Sequence, residues 1–238
     1  MQTANKVTRK PKRIRKTSHP AGARSFFAEH EMPTKLLILD RELIRELIQD
    51  RRDRGVDNYD EVWEGVYIVP PIANVPHQEL VLALCVILFN CVTLEGRGRV
   101  FPGVNVSDRR VGWKWKFRAP DVVVLLDNGK AVDCRTHLMG GPDFLIEVQS
   151  PRDQTEETIP FYSQLGVREL LVIQRDSRQL QLYRHDGQRL IPVGSSTFQG
   201  GKWLVSAVVP LAFRRKVIRG NPLTEVQRTD GVPGHWTV

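Results

Sequence analysis

Two acidic residues stand inside segments otherwise built for burial. Asp121 opens the run Pro120-Asp121-Val-Val-Val-Leu-Leu, and Glu147 lies near the end of Pro142-Asp143-Phe-Leu-Ile-Glu147-Val-Gln149-Ser150-Pro151. Both runs have the length and composition of strands. If they pair antiparallel, the start of one lies opposite the end of the other and the two carboxylates converge. Alternation by two places Leu145, Glu147 and Gln149 on one face. Two acids meeting at the edge of an apolar sheet must be neutralised by protons, by a cation or by a metal. A divalent ion with oxygen ligands, Mg²⁺ or Mn²⁺, does this, stabilises charge on a phosphate and lowers the pKa of a bound water. A pair of exposed strand-end charges satisfies the same spacing. Asp143, following Gly140-Gly141-Pro142, reads as turn chemistry.

Other candidates are blander alone. His77 opens an apolar helix after Asn74-Val75-Pro76, where a histidine serves a helix start as readily as catalysis. Glu61 and Glu64 flank Trp63 before Gly65 and suit strand-edge charges. Trp113-Lys114-Trp115-Lys116 alternates rings and cations, which fits stacking on bases with phosphate contact or a lysine-protected strand edge.

The elements that would position these residues follow from periodicity. Leu43, Ile44, Leu47 and Ile48 have helical spacing within residues 40–53, with Asp40 as a candidate N-cap and Gly55 as a stop. Residues 61–69 predict one strand or two hairpinned strands. Residues 77–94 predict a helix apolar nearly all round, which should be central and covered. Strands are expected at 98–106, 119–126, 143–149, 168–175, 179–185 and 203–209, with a short helix near 157–165 ended by Gly166 as a left-handed cap. Tyr162 should pack that helix onto the sheet. Grouped strands with few helices indicate an α+β fold.

Composition narrows the field. The chain has 238 residues with a formal charge of +8. Eight of its 35 Lys and Arg fall in the first 24 residues, which hold no acid; the rest of the chain carries 27 bases against 27 acids. The positive charge therefore belongs to a basic arm, residues 1–31, which could hold phosphates by counterion release or be a solvated extension. Residues 32–238 read as a single domain. The longest apolar run, Leu80 to Phe89, is about half the ~20 residues of a bilayer-spanning helix, so no membrane partner is expected. Cys85, Cys91 and Cys134 are odd in number and lack CxxC spacing, which suits packed thiols in a reducing cytoplasm.

Taken in order, the motifs resemble a known family. Asp60-Glu61-Val-Trp-Glu64-Gly65 is followed by His77-Gln78 opening a hydrophobic helix, then by Pro120-Asp121-Val-Val-Val and Gly141-Pro142-Asp143-Phe-Leu-Ile-Glu147-Val-Gln149-Ser150-Pro151. Phe161-Tyr162, Gly166-Val167-Arg168-Glu169-Leu170 and Gln181-Leu182-Tyr183-Arg184 close the set. Over residues 36–210 this combination resembles the Uma2 family of restriction-endonuclease-like proteins, which share the PD-(D/E)XK nuclease fold. The resemblance implies a restriction-endonuclease-like core with a mixed, curved β-sheet and flanking helices. It assigns metal ligation to Asp121 and Glu147 and supporting roles to Glu61 and His77. It also implies one or two Mg²⁺ (or Mn²⁺) ions and hydrolysis of a phosphodiester, with DNA as the expected partner.

The chain departs from that family at its lysine. Gln149 stands at the third motif position, and Thr158 stands four residues before Tyr162, where relatives carry lysine. Neither supplies an ammonium. Glutamine can orient a water, and Arg152 or Arg118 could replace the charge but not act as a base. Two expectations follow: an endonuclease weakened by the loss of the lysine, or a catalytically inactive nuclease-fold module that binds nucleic acid or protein. Two-strand cleavage would require two active sites, as in a homodimer.

Overall fold

In the computed structural model, which describes residues 41–57, 60–69, 74–150, 155–197 and 201–238, the helical spacing of Leu43 to Ile48 forms α1 (Arg41–Asp53). Gly55 follows at φ +65°, the left-handed stop that glycine accepts without strain. All the described residues fall in one unit, Thr34–Val238. The basic arm expected over residues 1–31 and the N-cap expected at Asp40 lie outside the described residues.

Residues 61–69 fold as a hairpin of β1 (Glu61–Trp63) and β2 (Val66–Ile68). It turns at Glu64 and Gly65, whose φ values of 49° and 87° suit a tight two-residue connection. The apolar segment forms α2 (Val75–Leu88), capped by the Asn74 side chain, which accepts from the His77 amide at 3.2 Å. Proline in the first turn gives up no helical hydrogen bond. A π-helical turn, Phe89–Thr93, extends it.

Downstream come β3 (Gly98–Pro102), β4 (Val106–Ser107), a 3-10 turn at Trp113–Trp115, β5 (Phe117–Arg118), β6 (Val122–Leu126), β7 (Val132–Asp133), β8 (Leu138–Met139) and β9 (Phe144–Gln149). Then follow α3 (Thr155–Leu165), β10 (Glu169–Gln174), β11 (Leu180–His185), β12 (Leu190–Ser196), β13 (Leu204–Val205), β14 (Leu211–Ile218), β15 (Asn221–Arg228) and β16 (His235–Thr237). The central sheet has the order β12-β11-β10-β9-β6-β3. Only β9 and β10 run parallel in it, so the sheet is mixed, and α3 lies in the crossover that a parallel pair requires. This is the expected α+β class with flanking helices.

Both faces of the sheet are covered, which is why its strands read as near-continuous apolar runs. Val122, Val124, Phe144, Ile146 and Val148 pack with Leu80, Leu84 and Leu88 of α2 and with Leu211, Phe213 and Val226 of the C-terminal sheet. Val123, Leu125 and Leu145 pack on the other face with Phe161 and Tyr162 of α3. A second sheet, β2-β1-β5-β4-β8-β7, carries the hairpin.

Three expectations need correction. The helix from Val75 to Thr93 is not covered all round: Leu82, Val86 and Phe89 are exposed while Leu80, Leu84 and Leu88 are buried. At 19 residues it is also long and apolar enough to span a bilayer by length and composition, although its buried face belongs to the core. Asp143 is no turn residue. It is 1% exposed and accepts from the Leu126 amide at 2.8 Å and from Arg168 at 3.0 Å, binding β6, β9 and the start of β10 together. The last expected strand, 203–209, shortens to Leu204–Val205, while β7, β8, β12 and β14 to β16 went unforeseen. Pro192 and Gly194 disguise β12, and the cations of β14 break its apolar alternation. Arg214 and Lys216 instead gather, with His235, on the buried carboxylate of Glu225. Burial alone would raise the pKa of Glu225, but these three donors hold it at about 2.

Because Asp143 satisfies a backbone amide inside the sheet, Asp143→Ala leaves the Leu126 N–H buried without its acceptor. It should cost about 1–3 kcal/mol. The urea midpoint should fall with an unchanged denaturant slope.

Candidate active site

β6 and β9 pair antiparallel with Val122 opposite Ile146 and Val123 opposite Leu145. The ladder ends at the first of these pairs, and Asp121 and Glu147 are the next residues beyond it. Alternation puts Glu147 on the α3 face with Leu145, whereas Asp121, which precedes β6, takes its side-chain contacts from α2 and from the end of β9. The Oδ2 of Asp121 accepts from the Val148 amide at 2.7 Å, which holds its carboxylate against the end of β9. The Nε2 of His77, at the first turn of α2, lies 3.4 Å from the same oxygen. Cys85, two turns along that helix, has its thiol pushed up to about 11 by burial and by the charge of Asp121, so it stays protonated at neutral pH.

Glu147 is gripped from the other side. The Tyr162 hydroxyl, fully buried on α3, donates to its Oε1 at 2.6 Å. Burial and the adjacent charges of Glu147 and Glu61 raise the Tyr162 pKa well above its ordinary value, so the phenol is a permanent donor. Gln149 follows Glu147 on the same face, half-buried. Glu61 accepts from the Ala119 amide at 2.7 Å and from the Trp63 indole, fastening β1 to the residue two before Asp121. The five expected residues thus come from four elements: β1, the start of α2, the entry to β6 and the end of β9.

A cation lies alongside. Arg118 is 2% exposed, and its guanidinium sits 4.5 Å from the Trp63 ring and 4.4 Å from the Phe161 ring. It donates to the Val62 carbonyl at 3.0 Å and lies 3.3 Å from Glu64. Burial lowers its pKa, while Glu61 and Glu64 oppose that shift. Thr158 is buried, and Arg152 lies outside the described residues. The Lys116 ammonium pairs with Glu64 at 3.3 Å and Asp108 at 3.4 Å, above the Phe161 ring.

Among the described residues, no three of His, Cys, Asp and Glu converge as a ready-made metal cluster. An ion here would rest on Asp121 and Glu147, with water completing its shell. Two hard carboxylates with a largely aqueous remaining shell is the usual way a protein holds Mg²⁺, so the donor set fits such an ion. A concavity of about 580 Å³ lies elsewhere, at the Leu126–Asn128 end of β6, with neither acid on its wall.

Two contributions to the site were not foreseen. The Tyr162 hydroxyl does more than pack α3 onto the sheet, and its sequence signal is an aromatic with a donor on a helix following an acid-bearing strand. Trp63 was passed over between two glutamates, where nothing local shows that it would stack on an arginine 55 positions away.

The profile of the Uma2 family, described as "Putative restriction endonuclease", matches residues 53–217. Among solved structures, one described as "a putative nuclease belonging to DUF820", from Anabaena variabilis ATCC 29413, is similar at 20% identity. The similarity covers 62% of this chain and 80% of that one, with a TM-score of 0.48. No curated protein matches the chain.

Tyr162→Phe removes the donor to Glu147 at constant shape and should destabilise by about 1.5–3 kcal/mol, the range for a hydrogen bond to a charged group. The wild type should lose stability as pH rises above about 10, because the unfolded tyrosine ionises there while the buried one does not. Unfolding midpoints measured from pH 8 to 11 should fall less steeply in the phenylalanine variant.

Proposed function

The chain belongs to the Uma2 family, and on that premise we propose that it is a metal-dependent endonuclease hydrolysing phosphodiester bonds of DNA. The observation that supports this is the β6–β9 pairing, which brings the Asp121 carboxylate, at the entry to β6, onto the Val148 amide directly after Glu147. Carboxylates are tolerated there if a cation is their normal companion.

Asp121 and Glu147 would hold Mg²⁺ or Mn²⁺. Such an ion, when bound, stabilises charge on the phosphate and lowers the pKa of a water. The residues around it have separable tasks. The Val148 amide and His77 orient Asp121, and the Tyr162 hydroxyl orients Glu147. Gln149 can hydrogen-bond a water and aim it, but its amide takes up no proton at neutral pH. Glu61 fixes the approach to Asp121 through the Ala119 amide. Arg118 contributes a positive charge beside Glu61 and cannot serve as a base. All three cysteines are free thiols.

Gln149 and Thr158 at the two lysine positions favour a second reading: a nuclease-fold module that binds nucleic acid and does not cut it. Calorimetry with Mn²⁺, paired with a cleavage assay on plasmid and linear DNA, separates the two. The nuclease reading expects metal binding that Asp121→Ala abolishes, together with wild-type cleavage that falls at least about 100-fold in the same variant. Metal binding with no cleavage of any nucleic acid supports the binding module. No metal affinity at all overturns the metal-dependent assignment.

A further inference from the structure

The turn between β4 and β5 is built to display a ring. Gly112 adopts the left-handed conformation at φ 71° and starts the 3-10 turn Trp113–Trp115. Its two tryptophans go opposite ways. Trp113 is half-buried, stacked on His137 at 4.7 Å with planes 17° apart and edge-on to Phe117 at 5.2 Å. Trp115 is 71% exposed, and Val111 beside it is 87% exposed. The backbone beneath Trp115 is fixed, because its carbonyl accepts from the Gly65 amide and its own amide donates to Gly112. A large aromatic left in water on a rigid mount is a contact surface in need of a partner.

The surroundings state the partner's charge. Between Asp108 and Lys116 the chain carries four cations and one acid. Asp108 is engaged by Arg109 at 2.6 Å and by Lys116 at 3.4 Å. Arg110 and Lys114 are exposed and form no ion pair among the described residues; the Lys114 ammonium lies 5.9 Å from the Trp113 ring centre. The turn also abuts the candidate site. The Glu64-Gly65 corner of the β1–β2 hairpin touches Trp115 and Lys116, Lys116 and Arg118 cover Phe161, and the neighbouring Tyr162 holds Glu147.

We propose that this turn is a nucleic-acid platform: Trp115 stacks on an unpaired base, while Arg110 and Lys114 take the flanking phosphates. Every base presents a π-face, so the contact is tolerant of sequence and selects for strands whose bases are unstacked. A duplex offers it a frayed end, a flap or a distorted step. The inference rests on the nuclease reading for its biological use but makes a separate physical claim, that the surface distinguishes bases from bare backbone.

The test uses the full chain in EDTA, where cleavage is suppressed. Fluorescence anisotropy compares a labelled oligothymidylate with an abasic deoxyribose-phosphate strand of equal length. The wild type should bind the base-bearing strand at least about five-fold more tightly, the lower end of what one stacked base contributes. Trp115→Ala should bind both strands equally, Trp115→Phe should keep most of the preference, and Arg110→Ala/Lys114→Ala should weaken both strands alike. Phosphate contacts from other basic segments act equally on the two strands and cancel. A wild type without preference, or a Trp115→Ala variant that retains it, overturns the platform. A wild type that shows the preference in EDTA yet cuts nothing with Mn²⁺ upholds the platform and removes the nuclease reading.

Discussion

A carboxylate costs several kcal/mol to bury without a partner, and the site is organised around two of them. Asp121 and Glu147 lie just beyond the paired residues of β6 and β9, in a sheet that is apolar on both faces. A single step of register slip would turn every side chain of one strand to the opposite face, so the β6–β9 alignment must hold. Much of the surrounding structure bears on that alignment. Asp143 binds Leu126 at the far end of the same strand pair, the Asp121 oxygen accepts from Val148 at the near end, and α3 closes over the face with Tyr162.

The second sheet and the helices act through this pair. The β1–β2 hairpin delivers Glu61 to the Ala119 amide and Trp63 to the Arg118 guanidinium, so the entry to β6 is fastened by a carboxylate and by a stacked cation. α2 contributes in two ways. Its apolar face packs one side of the sheet, and its capped first turn carries His77 to Asp121. The same hydrogen bonds that satisfy buried polar groups thus also aim the acids. Arg118 shows how tightly the cluster is drawn, since a guanidinium between two rings is stabilised by their negative faces while burial works against its charge.

Much of this was legible from residue order. The strand identity of 122–126 and 144–149 and the shared face of Leu145, Glu147 and Gln149 follow from apolar runs and period-two alternation, while the antiparallel pairing entered only as a condition that the structure meets. Glycine signals at Gly55 and Gly166 marked helix ends correctly, because both need positive φ. What stayed hidden depends on contacts distant in sequence. Asp143 looks like turn chemistry until the Leu126 amide and Arg168 arrive. Arg214 and Lys216 look like surface charge until Glu225, on the next strand, collects them. The exposed flank of α2 is invisible to a pattern that is apolar on every side. Membership of the Uma2 family adds a nuclease context to the two acids.

The central claim is that the two aligned carboxylates share one divalent ion. The most direct measurement is an anomalous difference map from crystals of the wild-type protein soaked in Mn²⁺. A peak about 2.0–2.3 Å from an oxygen of Asp121 and equally close to one of Glu147 is expected, with water completing the shell. A map with no peak between them, or with manganese bound only at other carboxylates, would contradict it.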